Sequence, residues 1–363
     1  MMDYTTPTEL REMLKNRLVT RDYRTLIDVI LDGIGKIFQK ITRTKQPPPY
    51  WYNALVFAVI SLLAGYLTSI LFGEYYPFRY ETLLFEVSGI SIAFLGLVLL
   101  HIYIRTTFNS IGTKVIDAID TMRDLSDLQS WLTTVSNIKK HIIFSLVYAT
   151  ISASFFLTLF MLTRGGFVGF GSTLVLGIVN FVAGMVIYYV IMFLEFPLRL
   201  SRYEFKLFAA DPSSSAVIGI ISGIMTNFGY VIATLVAAGT LNILNSNLLT
   251  SITVYAIILV GWLPLITIFA INQYALKKII FTAKRKVLDD IQVEIESIRS
   301  QEQILSQKTL EHLRHYMDFH DRIKATRNWN LDWTAGINLF NSLLLPLLAW
   351  VLSNFDKLLT LFP

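Results

Sequence analysis

The 363-residue chain contains no cysteine, which excludes disulfides, thiolate metal ligands and cysteine nucleophiles. Charge is also scarce, because Asp, Glu, Lys and Arg make up 16% of the residues, against about a quarter in soluble domains. Hydrophobic residues make up 54%, and the mean hydropathy is +0.55. This composition predicts an all-α, polytopic membrane protein embedded in a lipid bilayer.

Motifs of common catalytic sites are missing as well. No H-E-x-x-H or Walker lysine motif occurs. The serines of "AADPSSSAVIG" at 209–219 have no histidine near them in sequence, so they are interpreted as caps of a turn and a helix start. His312 and His315 are spaced for one helix face, which suits zinc or pH sensing, but a solvated helix explains the same spacing. We therefore expect no enzyme activity, no cofactor and no metal.

Seven stretches approach the ~20 apolar residues that a helix needs to cross a bilayer. They are Tyr52–Phe72, Thr82–Ile104, Ile142–Thr163, Ser172–Phe196, Ser214–Val236, Leu249–Ile271 and Thr334–Ser353. The sequence therefore predicts seven transmembrane helices. Interruptions at Asn227–Gly229 and Pro264 would suit the broken helices of a transporter.

Basic residues are concentrated in alternate segments between these spans. Nine Lys and Arg precede the first span, five lie at 105–140, three at 199–206 and eleven at 277–327, and the other side has only Arg79, Arg164 and Lys357. By the positive-inside rule, the N-terminus is cytoplasmic and the C-terminus lies on the outer side of the membrane. We expect this membrane to be the cell membrane, plasma or inner. This topology and anionic lipids explain the net charge of +5, so no nucleic-acid partner is expected.

Amphipathic segments divide the chain into four predicted regions. These are N-terminal cytoplasmic helices at 1–50, six spans at 51–276 with a helical cytoplasmic loop at 105–140, a cytoplasmic helical pair at 277–333, and the last span with a short outer tail at 334–363. "TPTE" at Thr6–Glu9 is a capping box that begins the first helix. The apolar stripe shifts near Ser300–Thr309, which predicts the break in the helical pair. The amphipathic helices are expected to form a cytoplasmic layer and an oligomer contact.

Three ionisable residues lie within predicted spans, where charge is costly and each is a functional candidate. Glu86 lies one turn into the second span, with Arg79 and Arg164 as candidate partners at the outer interface. His101 and Glu195 lie near the inner ends of the second and fourth spans, where they can meet. Two interpretations stay open, a mechanistic role and a structural hydrogen bond.

The last span carries a stripe of small and polar residues within "NWNLDWTAGINLFNSLLLPLLAW" at 328–350. At 100° per residue, Asn338, Ser342, Leu345 and Ala349 lie close to one line, and Asn341 flanks it. Such stripes in membrane helices either pack against neighbours or face water. All five residues are therefore candidates for lining a pore or cavity.

Three functions fit these patterns. The favoured one is an oligomeric ion channel or ligand-gated pore lined by the last span, with a ligand that the sequence does not identify. The alternatives are a non-transporting sensor or scaffold that acts through its cytoplasmic helices, and a secondary transporter, which the lack of a visible internal repeat disfavours. In topology alone, the arrangement resembles insect odorant and gustatory receptor channels, although the "TY…QF" signature of their last span is missing. A homo-oligomer is expected.

Overall fold

The computed structural model describes residues 6–44, 46–74, 80–164, 169–245, 251–300 and 307–326. This part of the chain is all-α, and no sheet occurs in it. Its ten helices are α1 (Pro7–Val19), α2 (Leu26–Thr42), α3 (Tyr50–Leu71), α4 (Tyr80–Ser110), α5 (Met122–Val135), α6 (Ile138–Arg164), α7 (Phe170–Leu200), α8 (Ala216–Asn245), α9 (Ser251–Ser300) and α10 (Gln307–Ala325).

Six of these helices are long and apolar enough to cross a bilayer, namely α3, α4, α6, α7, α8 and α9. Six of the seven predicted spans are thus confirmed, and the chain is a multi-pass integral membrane protein. The seventh predicted span, Thr334–Ser353, lies outside the described residues. Helices α8 and α9 run unbroken through Asn227–Gly229 and Pro264, so the expected transporter-like interruptions are wrong.

The N-terminal helices begin at side-chain caps. Thr6 accepts a hydrogen bond from the Glu9 backbone N–H at 3.3 Å, with a proline at the next position, as the sequence predicts. Helix α2 starts with a complete capping box made by Thr25 and Asp28. The buried face of α1 is formed by Leu10, Leu14 and Leu18.

Helix α4 ends in a π-helical turn at Ile111–Val115, followed by a short helical turn. Gly112 in this turn lets Leu18 of α1 approach, because a Cβ there would lie 3.3 Å from the Leu18 Cβ. Ile119 then forms an isolated antiparallel bridge with Phe205. The predicted apolar stripe of the loop at 105–140 is buried, with Trp131 among its fully enclosed side chains.

Helix α9 has 50 residues, about 75 Å at 1.5 Å per residue. It carries the sixth span directly into the basic segment that follows, so the predicted boundary at residue 276 falls inside one helix. Helix α10 packs back against α9, with its end at Lys284. Residues 301–306 of the predicted break near Ser300–Thr309 lie outside the described residues. On α10, Ile323 is buried and His320 is half-buried, whereas Met317 is 53% exposed, although its spacing from Leu313 and His320 predicts that it shares their apolar face.

Helices α6 and α7 pack closely through small and polar residues. A Cβ on Gly184 would lie 2.9 Å from the Cα of Ser145, so only glycine fits there. Further along the same interface, the Ser152 hydroxyl donates to the Asn180 side-chain oxygen at 2.6 Å. Small residues at helix contacts are the usual solution in membranes, where lipid gives no hydrophobic drive for association.

We expect Gly184→Ala to destabilise the bundle by about 1–3 kcal/mol, because the added methyl group meets backbone that cannot move away freely. Gly177→Ala is the matched control on the same helix, since a Cβ at Gly177 has no atom within 4 Å. The measurement is the thermal unfolding midpoint of each purified variant in detergent. Equal midpoints for the two variants would contradict the close approach of α6 and α7.

Candidate functional site: a buried polar layer at the basic end of the bundle

The four segments rich in Lys and Arg meet at one end of the helix bundle, here called the basic end. Arg11 of α1 donates to the Ile119 carbonyl at 2.8 Å. Lys206 contacts Asp120 at 3.0 Å, and Lys286 of α9 contacts Glu204 at 2.9 Å. The basic segments, which alternate with nearly uncharged segments along the sequence, therefore contact one another in the structure.

At the centre of the basic end, a buried carboxylate joins α2 to α4. Asp28, 1% exposed, accepts from the Thr25 backbone N–H and hydroxyl through one oxygen, both at 2.8 Å. Its other oxygen lies 2.9 Å from the Arg105 Nη2 and 3.1 Å from the His101 Nδ1. His101 and Arg105 are one turn apart on α4, so they share the face that meets α2.

The charge state of Asp28 follows from these contacts. Burial raises the pKa of the carboxyl, but the contacts with His101 and Thr25 and the charge of Arg105 outweigh burial. The net effect lowers the pKa of Asp28 below its usual 3.8. Its contribution to stability is therefore fully present above about pH 3.8 and falls as the pH drops through the lower folded value.

Aromatic rings close this cluster on the side of α3. The Tyr50 ring lies over the His101 ring, with 3.9 Å between ring centroids. The Tyr50 hydroxyl accepts from the Arg21 guanidinium at 3.2 Å. The start of the first span is thereby attached both to the buried histidine and to the turn that precedes α2.

A second histidine lies between α6 and α7. His141 is fully buried, stacked on Tyr188 at 4.2 Å and met edge-on by Tyr189 at 4.6 Å. Neither of its ring nitrogens, nor the Tyr189 hydroxyl, makes a hydrogen bond within the described residues. The Tyr188 hydroxyl donates to the Thr134 carbonyl at 3.0 Å, which links this layer to α5.

The third contact of the layer ties α5 to the end of α7. Arg199 reaches Glu195 at 2.7 Å and Asp127 at 2.7 Å, and the Tyr203 hydroxyl donates to Asp127 at 2.7 Å. Burial and the adjacent Asp127 carboxylate raise the pKa of Tyr203, so its hydroxyl stays protonated and serves as a donor. Glu195 thus pairs with Arg199, and His101 with Asp28, so the two predicted site residues have separate partners.

A lysine at the basic end holds the last described turn of the chain. Lys284 of α9 is 5% exposed, and its ammonium donates to the carbonyls of Lys324 and Thr326 at 2.9 and 2.8 Å. These carbonyls lie at the C-terminus of α10, where the helix leaves its last acceptors without intrahelical partners. A cation there also interacts favourably with the helix dipole.

The remaining predicted site residues lie elsewhere. Glu86 is 9% exposed and accepts a hydrogen bond from the Ser172 hydroxyl at the start of α7. Neither residue belongs to the basic segments that form the basic end. Glu74 nearby accepts from the backbone N–H of Phe170 and Gly171 and so caps α7. The candidate lining residues Asn338, Asn341, Ser342, Leu345 and Ala349, and the candidate partner Arg79, lie outside the described residues.

Sequence reasoning missed Asp28, His141 and Lys284 as members of the site. The spacing of Thr25 and Asp28 is that of a capping box, so the cap itself could have been predicted. Caps are normally exposed, however, and the sequence gives no sign that this one is buried. Within the part of the chain that the structure describes, no group of three His, Asp or Glu side chains could hold a metal ion. Chemically, the layer provides one buried ion pair, between Asp28 and Arg105, and half-buried pairs around Arg199, which hold helices together.

We expect Asp28→Asn to lower the free energy of unfolding by about 3 kcal/mol, because it leaves the Arg105 guanidinium without its buried counter-charge. Asp32→Asn, one turn further along α2 and only half-buried, should have little effect. Thermal unfolding in detergent at pH 7 compares the two variants with the parent protein. Equally small losses of unfolding free energy in the two variants would refute the buried contact.

We expect Lys284→Met to release the C-terminal turn of α10, because two charge-assisted hydrogen bonds are lost. The control is Arg285→Gln, whose side chain is 72% exposed and lies 3.7 Å from Asp289, a long contact between exposed groups. Hydrogen–deuterium exchange of a peptide covering residues 320–326 should be about tenfold faster in the first variant. Unchanged exchange would show that the cap is dispensable.

All the contacts described at the basic end lie within one copy of the chain. No protein-family model matches the chain, and no curated protein or solved structure matches it. Helix length, hydropathy and the all-α fold make it a multi-pass integral membrane protein.

Proposed function

We propose that this protein is an oligomeric ion channel, with a cytoplasmic N-terminus and a pore lined by its last span at 334–353. The observation that carries the proposal is the attachment of the end of α10 to Lys284. It fixes where the polypeptide leaves the described helices and heads for the last apolar run. The ion, the gating ligand and the number of subunits are outside the proposal, and no catalytic step is proposed.

The position of Lys284 limits where the last span can begin. From Thr326 to Thr334 there are eight residues, which reach at most about 27 Å when fully extended. In the proposal the last span starts at the basic end, on the same side as the other basic segments, and the short connection supports this placement. An odd number of spans then takes the C-terminus to the opposite side, in keeping with the distribution of Lys and Arg.

The interior of the six described spans supports a pore between subunits rather than within one. Leu97, Met185 and Ile268 come from three different spans, and each is at most 1% exposed. Close-packed apolar side chains leave no room for a file of water. A polar stripe on the last span can meet water where several copies of that span surround a common axis.

Exposed apolar side chains on the α9–α10 hairpin support association of several copies. Val293 is 66% exposed, Met317 is 53% exposed and Phe319 is 37% exposed. Val293 lies on α9 after its basic stretch at 277–286, and Met317 and Phe319 lie on α10. In the proposed topology this hairpin lies on the cytoplasmic side, where water would otherwise contact these side chains. Apolar surface of this kind commonly marks an interface, so we assign the contact between subunits to this hairpin.

One observation favours the alternative of a membrane sensor or scaffold. The Asp28 cluster joins a helix at the basic end to a membrane-spanning helix through ion pairs rather than through apolar packing alone. Such a joint could transmit a change in the spans to the surface at the basic end without any conduction. A measurement of ion flux separates the two functions.

We expect Ser342→Trp to reduce ion flux at least about tenfold, because an indole on the polar stripe would fill a narrow pore, whereas Leu343→Trp on the opposite side of the helix should be tolerated. The measurement is potassium flux into liposomes that contain the purified protein, driven by a membrane potential. Particle images of the same preparations report the subunit number.

The proposal fails if the parent protein carries no flux, or if its particles are monomers without an axial opening. It also fails if both tryptophan variants lose flux equally, since the stripe would then be a packing surface. The sensor or scaffold function would replace it in each of these cases.

A further inference from the structure

An open groove runs between α4 and α8 on the membrane-facing surface. Its volume is about 440 Å³. Ile102 on one rim is 56% exposed and Tyr230 on the other is 39% exposed, so the groove is accessible from the bilayer. The Tyr103 hydroxyl, which donates to the Ile224 carbonyl at 3.3 Å, ties the two helices together beneath it.

A track of polar side chains follows this groove. Thr106 and Ser110 of α4 and Lys114 of the π-helical turn follow Ile102 at intervals of four residues, and all of them line the groove. Asn227 of α8 lines the other wall and is exposed. The track therefore favours an occupant that is part polar and part apolar.

The end of the groove near the basic end is positively charged. Lys114 lines it and is exposed. The acidic residues that follow Lys114 in sequence have other partners, since Asp117 contacts Lys15 at 2.7 Å and Asp120 contacts Lys206 at 3.0 Å. No ion pair of Lys114 occurs among the described residues, so its charge is available to a ligand.

We propose that this groove binds one anionic glycerophospholipid from the leaflet at the basic end. Its phosphate meets Lys114 and Ser110, and an acyl chain lies along Ile102 and Ile220. From Lys114 to Ile102 the helix rises about 18 Å at 1.5 Å per residue. This length is close to the ~15 Å of hydrocarbon in one leaflet, so a single chain fits the groove. The site does not depend on the proposed channel function.

Lipid retention by the purified full-length protein tests the site. Dioleoyl phosphatidylglycerol and dioleoyl phosphatidylcholine are offered in equal amounts in detergent, and native mass spectrometry counts the lipids that stay bound. We expect one phosphatidylglycerol to be retained in preference to phosphatidylcholine. Lys114→Gln should reduce this preference about fivefold, the loss of one lysine–lipid attraction of about 1 kcal/mol. Lys114→Arg should restore it.

Two further variants separate the headgroup contact from the groove itself. Lys140→Gln removes another exposed lysine of the basic end that does not line the groove, and it should leave the preference unchanged. Gly223→Leu places a side chain in the groove, where a Cβ meets no atom within 4 Å. The Cβ therefore meets no clash, and the rest of the side chain, which projects into the groove, should abolish retention of both lipids.

Three results would overturn the proposal. Equal losses in the variants at Lys114 and Lys140 would mean that the preference reflects general surface charge. Full retention in Gly223→Leu would mean that the lipid binds elsewhere. Displacement of the lipid by millimolar glycerol phosphate, which has no acyl chain, would mean that the site recognises free phosphate.

Discussion

The structure depends on the cost of placing charge in hydrocarbon. A charged side chain within a span must find a partner or move to an interface, and this chain does both at its basic end. Asp28 brings its carboxylate to Arg105 at the end of a span, and Arg199 reaches out of another span to Asp127. The membrane-spanning parts of the helices are left almost wholly apolar, so the shapes of their side chains govern how they pack. Gly184 against Ser145 is the clearest case.

The basic end is therefore more than a set of connecting loops. Each of its segments is fixed to another by a contact between residues far apart in sequence, such as Arg11 with Ile119 and Lys286 with Glu204. Removing one contact leaves the others in place, but Asp28 differs because it is buried and contacts both the Arg105 guanidinium and the His101 ring. A buried charge without its partner costs far more than a lost surface pair, which makes the joint between α2 and α4 the least tolerant of change.

Much of the fold could be predicted because apolar runs and basic segments are linear features of the sequence. The spans and the caps at Thr6 and Thr25 depend on neighbours in the chain. The partners of His101 and Glu195 could not be predicted, since they depend on which faces of separate helices meet. His101 was expected to meet Glu195 and instead faces Asp28, a residue 73 positions away in a segment read only as an amphipathic helix.

The two proposals concern different surfaces of one bundle and make different physical demands on it. The groove on α4 and α8 needs only the bilayer, because its polar track and its lysine match a lipid whose headgroup lies at the basic end. The pore needs other copies of the chain, because the interior of the described spans is packed. Helix α4 connects the two, since Lys114 faces the groove while Arg105 holds Asp28 on the same helix. A lipid that shifts the end of α4 would therefore act directly on the buried ion pair.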